Sequence, residues 1–328
     1  MRSASISASI MKKKVSRIAL WVFFNLWSFL MSDGTVDMNL GPGKVLSIPI
    51  FHKMHEGSHA IGQALAGISC TFFVEEFLDI RYFENNNSEM QKAEREFTSA
   101  DGVDLQKLNS LIKIKAFQPD YKLYSKCIER GVITSVVGLV RRFEHRPVKM
   151  TSPAFVLIRS DIMRFSLSLA RQDFHEFYPQ FNKSFILTPR HYNISSLRKY
   201  ALEVIEGWKS RSQRIQQIRK VYGVSCDRIK IIIYEDFLRD PSTLINNMYS
   251  FAIKGLSGIS GLNDSMKNEW PGHRSNYTKV HPVNIRSFVL NADEVEKHFA
   301  DENYINFLKI LKLNPNIGCD IEKLLIRV

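Results

Sequence analysis

Four short runs of mostly apolar, β-branched residues do most to limit what this chain can become: residues 45–51, 132–140, 155–158 and 229–234. The last reads IKIIIY and is apolar at nearly every position. A run of that length without polar alternation is a strand covered on both faces. Helical segments lie between the runs. Residues 58–66 follow the first, 161–171 follow the third, and an amphipathic stretch over 196–221 precedes the fourth. Another helix starts after the fourth at Pro241, a residue suited to a first helical turn. Buried strands alternating with helices predict an α/β fold, a central parallel sheet flanked by helices, with all four runs in one sheet.

The 328 residues suit one large α/β domain, or two small ones. Residues 33–44 read as a linker, so the expected division is an N-terminal segment over 1–44 and one domain over 45–328. Residues 84–105 are polar and charged and read as a surface excursion. Beyond about 255 the pattern is irregular and ends in a helix expected over 303–313.

The formal net charge of +12 favours an anionic partner. The densest basic run, Arg141, Arg142, His145, Arg146 and Lys149, is short, contains Glu144 and reads as a solvated face. There is no RNA-binding consensus and no zinc-finger spacing, so nucleic acid is not the expected partner. Cys70, Cys127, Cys226 and Cys319 are far apart and form no C-x-x-C pair. That excludes a dense disulfide scaffold and a zinc ribbon, and leaves the compartment open.

At the N-terminus Lys12, Lys13, Lys14 and Arg17 precede an apolar run over 18–31. The run is shorter than the roughly 20 residues of a spanning helix. An uncleaved signal anchor, a secretory signal and an over-extended start, with Met31 or Met38 as the first residue, all fit it. An anchor would leave the N-terminus cytoplasmic and the domain outside. The expected location is therefore cytoplasmic, or membrane-anchored through 18–31.

Three segments carry candidate chemistry. In FHKMHEGSHAIGQAL, residues 51–65, a strand runs into a turn at Gly57 and a helix begins near Ser58. The unpaired N–H groups and dipole of a helix start make an anion site. Lys53, His55, Ser58 and His59 add side-chain donors. No G-x-x-x-x-G-K-[ST] is present, so an enzyme using that triphosphate loop is not expected. In AFVLIRSDIMRFSLSLARQ, residues 154–172, a strand ends at Arg159, Asp161 can cap the next helix, and Ser168 lies two turns on. In RIKIIIYEDFLRDPSTLINNMYSFAI, residues 228–253, a strand ends in Tyr-Glu-Asp and a helix starts after Asp240-Pro241.

In this order the segments resemble the sulfotransferase superfamily, in look the bacterial carbohydrate type that includes the trehalose sulfotransferases. The resemblance spans roughly residues 45–255. The family's first loop reads like R-S-G-[ST]-x-x-L, and His55-Glu56-Gly57-Ser58-His59 stands in its place. Arg159, Asp161 and Ser168 match R-x-D-x-x-x-x-x-x-S, and Tyr234 to Pro241 match Y-E-D-[LF]-x-x-D-P. Glu76-Phe77 falls where the family has G-x-P-x-E-[FY], with Glu75 a close competitor. Two positions depart: His55 replaces an Arg or Lys, and Ser160 replaces the second of two arginines.

The resemblance implies a P-loop-like fold and 3′-phosphoadenylyl sulfate (PAPS) as donor co-substrate, with no metal required. It implies binding of the 5′-phosphosulfate by His55, Gly57, Ser58 and His59, and of the 3′-phosphate by Arg159 and Ser168. It makes Glu76 the base that activates an acceptor hydroxyl, with Lys53 or His55 meeting charge on the bridging oxygen. The acceptor it suggests is a small molecule or glycan, a carbohydrate or glycolipid. Phe72, Phe73 and Phe77 flank Glu76 and are expected to raise its pKa by partial burial.

Two alternatives stand beside this. His55-Glu56-Gly57-Ser58-His59 is also H-E-x-x-H, the zinc peptidase pattern, with Glu75, Glu76 or Asp79 as a third ligand. That pattern requires one helix presenting both histidines, and Gly57 interrupts it at a cost of about 1 kcal/mol. The departures at His55 and Ser160 also allow an inactive sulfotransferase-like binding protein.

Overall fold

The computed structural model describes residues 40, 42–53, 56–74, 87–99, 101–112, 120–130, 133–140, 152–171, 188–254, 284–301, 306–312, 317–326 and 328. In chain order the first elements are β1 (Leu46–Phe51), α1 (Ser58–Ala66), β2 (Thr71–Val74), α2 (Asn87–Phe97), α3 (Leu105–Leu111) and α4 (Tyr121–Glu129). They continue with β3 (Ser135–Val140), β4 (Ala154–Ile158), α5 (Ile162–Ala170) and α6 (Ile194–Tyr222). Then come β5 (Ile229–Ile233), α7 (Tyr234–Arg239), α8 (Pro241–Ile253), α9 (Ala292–Asp301), α10 (Phe307–Lys312) and α11 (Ile321–Leu324).

Among the described residues, five strands form one parallel sheet in the order β2-β3-β1-β4-β5. The four expected runs lie in it. The fourth run ends one residue early, because Tyr234 already opens α7. Strand alternation sorts the side chains. Leu46, Ile48, Ile50, Phe155, Leu157 and Ile232 pack on one face with residues of α1 and α8. Phe51, Val136, Val156, Ile158 and Ile231 pack on the other with residues of α2, α3, α6 and α10. Both faces are covered, which is why the strands read as continuous apolar runs. The fold is α/β of the P-loop-like kind, with the strand–loop–helix unit β1–α1 at the centre.

Two expectations about elements are corrected. Residues 84–105 are not a surface excursion. Met90, Ala93 and Phe97 of α2, then Val103 and Leu105, are buried in the core. Three apolar positions at helical spacing suffice to seat an otherwise charged helix. The second correction is a strand the apolar pattern did not reveal: β2 pairs with β3 from Thr71 to Val74. Its Phe72 and Phe73 point to opposite faces, Phe72 into one core and Phe73 toward α1, so they do not share one pocket.

The cysteines pair as Cys70–Cys127 and Cys226–Cys319. The run over 18–31 lies outside the described residues. Among those described, no helix is long and apolar enough to cross a membrane.

Candidate functional site

The strand order decides where a ligand can enter. From β1 the chain moves toward β2, whereas from β4 it moves the other way to β5. β1 and β4 are neighbours, paired at Ile50 with Phe155 and Phe51 with Val156. In open parallel sheets the ligand crevice lies beyond the carboxyl ends of two such strands. The loop after β1 carries Lys53 and Gly57, and Arg159 directly follows β4.

Gly57 takes φ +80° and precedes the first residue of α1 without a side-chain cap. A left-handed backbone there lets the chain leave β1 and enter the helix at once. Ser58 is buried, and the half-buried His59 meets the edge of Phe73 at 6.3 Å. The helix begins at Ser58, so Glu56 and Gly57 stand before it, whereas the zinc peptidase pattern needs them on the helix. Among the described residues, no group of three or more His, Cys, Asp or Glu is placed to hold a metal ion.

The second and third segments close on this loop. Tyr234 lies against Gly57, and Arg159 places its guanidinium carbon 5.6 Å from the centres of both the Tyr234 and Phe165 rings. The Arg159 Nε stands 3.9 Å from Glu235 Oε1. Glu235 in turn accepts hydrogen bonds from Ser160 N and Ser160 Oγ, both at 2.8 Å, and from Asp161 N at 3.2 Å. Ser160, the departure from the resembled family, is thus the joint that ties β4 to β5. Asp161 caps α5 through Arg164 N at 2.9 Å. Arg159 is only 4% exposed, and its carbonyl accepts from Trp208 Nε1 at 3.1 Å. Ser168, 2% exposed, lies three residues after Phe165, on the same helix face.

Sequence reasoning missed the contribution of α6. Its buried stripe runs Leu197, Ala201, Val204, Trp208, Arg211, Ile215 and Ile218, alternating steps of four and three, with an arginine in an apolar position. A charge inside that stripe is the signal that could have revealed it. Arg211 is 0% exposed and donates from Nη2 to Glu56, itself 2% exposed. The same Glu56 Oε2 accepts the Lys53 backbone N–H at 2.7 Å. Arg214, one turn further along α6, donates from Nη1 to the His52 carbonyl at 3.1 Å. Burial, and then the neighbouring Arg211 charge, lower the Lys53 pKa from its ordinary value.

His55, Glu75, Glu76 and Phe77 lie outside the described residues. Val74, just before the two glutamates, ends β2 two strands from β1, which is about 10 Å across the sheet.

Fold and loop define an α/β protein whose β1–α1 turn stands at the sheet's topological switch. No family model matches the chain, and no curated protein does. Among solved structures it is similar to the sulfotransferase domain from the Synechococcus PCC 7002 olefin synthase. The identity is 14% and the TM-score 0.32, over 79% of this chain and 96% of that one. A likeness at this level bears on neither the site nor the substrate.

Proposed function

We propose that the protein is a sulfotransferase that moves a sulfuryl group from PAPS to an acceptor hydroxyl of a carbohydrate or glycolipid. One observation carries this reading. The three segments that resemble the family meet at the carboxyl end of the sheet, joined through Gly57, Tyr234, Arg159 and Glu235. The donor's 5′-phosphosulfate sits at the start of α1, on Gly57, Ser58 and His59, with His55 beside it. Its 3′-phosphate lies near Arg159 and Ser168, and no metal is needed.

In the transfer, Glu76 takes the proton of the acceptor hydroxyl. The acceptor oxygen bonds to sulfur, and the bond from sulfur to the 5′-phosphate oxygen breaks. Adenosine 3′,5′-bisphosphate leaves with the electron pair. Lys53 or His55 meets the charge developing on the bridging oxygen, and the helix start stabilises the phosphate.

Calorimetry with adenosine 3′,5′-bisphosphate tests the reading. The folded protein binds it, and transfer from PAPS to a panel of glycans survives a chelator. A folded protein that ignores the nucleotide ends the proposal. Activity lost to a chelator and restored by zinc returns the peptidase alternative.

A further inference from the structure

The loop after β1 faces a group of charges carried by α6. Gly207, Arg211 and Arg214 lie on one face of α6, at positions i, i+4 and i+7. A side chain at Gly207 would begin 3.3 Å from Lys53 Nζ, so the ammonium lies against that face. Three cations therefore gather there with one buried carboxylate, Glu56. Arg211 spends Nη2 on Glu56, while its Nε and Nη1 are buried and have no hydrogen-bond partner among the described residues. A buried charge left short of acceptors is expensive. Lys53 and Arg214 are half-buried.

We propose that Lys53 and Arg214, backed by Arg211, form an anion subsite beside the start of α1 that takes a tetrahedral dianion, a phosphate or sulfate group. Glu56 is its resident counter-ion. It occupies the Lys53 N–H and the Arg211 guanidinium when no ligand is bound. Arg211 is sealed from water, so it is a positioning residue. It acts through Glu56 and through its field, while Lys53 and Arg214 make the contact. The inference rests on the donor reading above, because it assigns to α6 the second wall around the phosphosulfate.

A negative group inside an anion site lowers the site's own affinity, so removing it has a distinctive sign. Calorimetry at fixed ionic strength would compare the parent with Arg214→Gln, Arg211→Gln and Glu56→Gln. The probes are inorganic sulfate, inorganic phosphate and adenosine 3′,5′-bisphosphate. Arg214→Gln and Arg211→Gln weaken all three by about tenfold or more. Glu56→Gln tightens them by a similar factor, which a merely structural ion pair would not do. Lys323→Gln, far out in solvent, serves as the control for net charge.

Circular dichroism reports which variants fold. If Arg211→Gln does not, Arg214→Gln carries the test alone. Folded variants that bind all three probes as the parent does overturn the subsite and leave the donor reading standing. So does a folded Glu56→Gln protein that binds them more weakly. If sulfate binding follows the expected pattern but the nucleotide does not bind, the subsite stands and the donor reading falls.

Discussion

The Tyr234 ring occupies the space that a side chain on Gly57 would need: a Cβ there would fall 2.1 Å from Tyr234 Cε2. The turn after β1 and the end of β5 are fitted to each other. Gly57→Ala must displace the ring and hold alanine at φ +80°. The left-handed backbone alone costs about 1–2 kcal/mol. The variant should lose about 2 kcal/mol or more in urea unfolding and bind adenosine 3′,5′-bisphosphate more weakly. A midpoint equal to the parent's would show that the ring is free to move.

Glu235 holds the exit of β4 by accepting from Ser160 N, Ser160 Oγ and Asp161 N. Hydrogen bonds to a charged group contribute about 1.5–3 kcal/mol each, and losses from one network do not add. Glu235→Ala should lower stability by about 3 kcal/mol and release Arg159 from its place beside Tyr234. Glu235→Gln, which keeps an acceptor oxygen, should recover part of the loss. Equal losses in both variants would mean that charge rather than hydrogen bonding holds the joint.

The disulfides close loops of 57 and 93 residues. Restricting unfolded chains of that length is worth roughly 4 kcal/mol each in the chain-entropy account. Thermal unfolding with and without a reductant should show a large drop in Tm. Cys70→Ala with Cys127→Ala should reproduce part of it, and Cys226→Ala with Cys319→Ala another part. Persistent pairs belong to oxidising compartments, so expression yield should be higher in an oxidising host compartment than in a reducing one. Equal yields and equal Tm values would remove the pairs from the stability of the fold.

Burial and Arg211 lower the folded pKa of Lys53 below its ordinary value of 10.5. At pH below the folded value, the lysine is protonated in both states and the folded chain bears the full penalty. Between the folded value and 10.5 the unfolded chain holds more proton, so stability rises with pH across that window. Lys53→Met should be the more stable protein at neutral pH, with a margin that shrinks as pH rises through the window. It should also lose transfer activity. Urea unfolding at several pH values checks the slope, and a margin that grows with pH contradicts the assignment.

Glu76→Gln should depress sulfuryl transfer by about 10²–10⁴-fold while leaving nucleotide affinity nearly intact, as expected when a general base is lost. Initial rates and calorimetry on the same protein separate the two effects. If Glu75→Gln shows the loss instead, the base is the neighbouring carboxylate. If neither does and His55→Ala abolishes turnover, the base is a histidine.

Local chemistry made much of this molecule legible in its residues. Strands buried on both faces need apolar runs, so β1, β3, β4 and β5 announce themselves. Asp161 and the Asp240-Pro241 pair mark helix starts because a cap or a proline acts within one turn. Gly57 marks the turn for the same local reason. β2 did not stand out, because four residues beside two glutamates make too short a run. The helix α2 was hidden by charges around its three buried positions. Other features depend on residues far apart in the chain. Cys226 meets Cys319 across 93 residues, and Arg211 meets Glu56 across 155. Periodicity and capping are properties of neighbouring residues. The arginine inside the apolar stripe of α6 is visible in the residues, but which carboxylate it faces depends on how α6 crosses the carboxyl end of the sheet, so only the folded chain reveals that it meets Glu56 in the loop after β1.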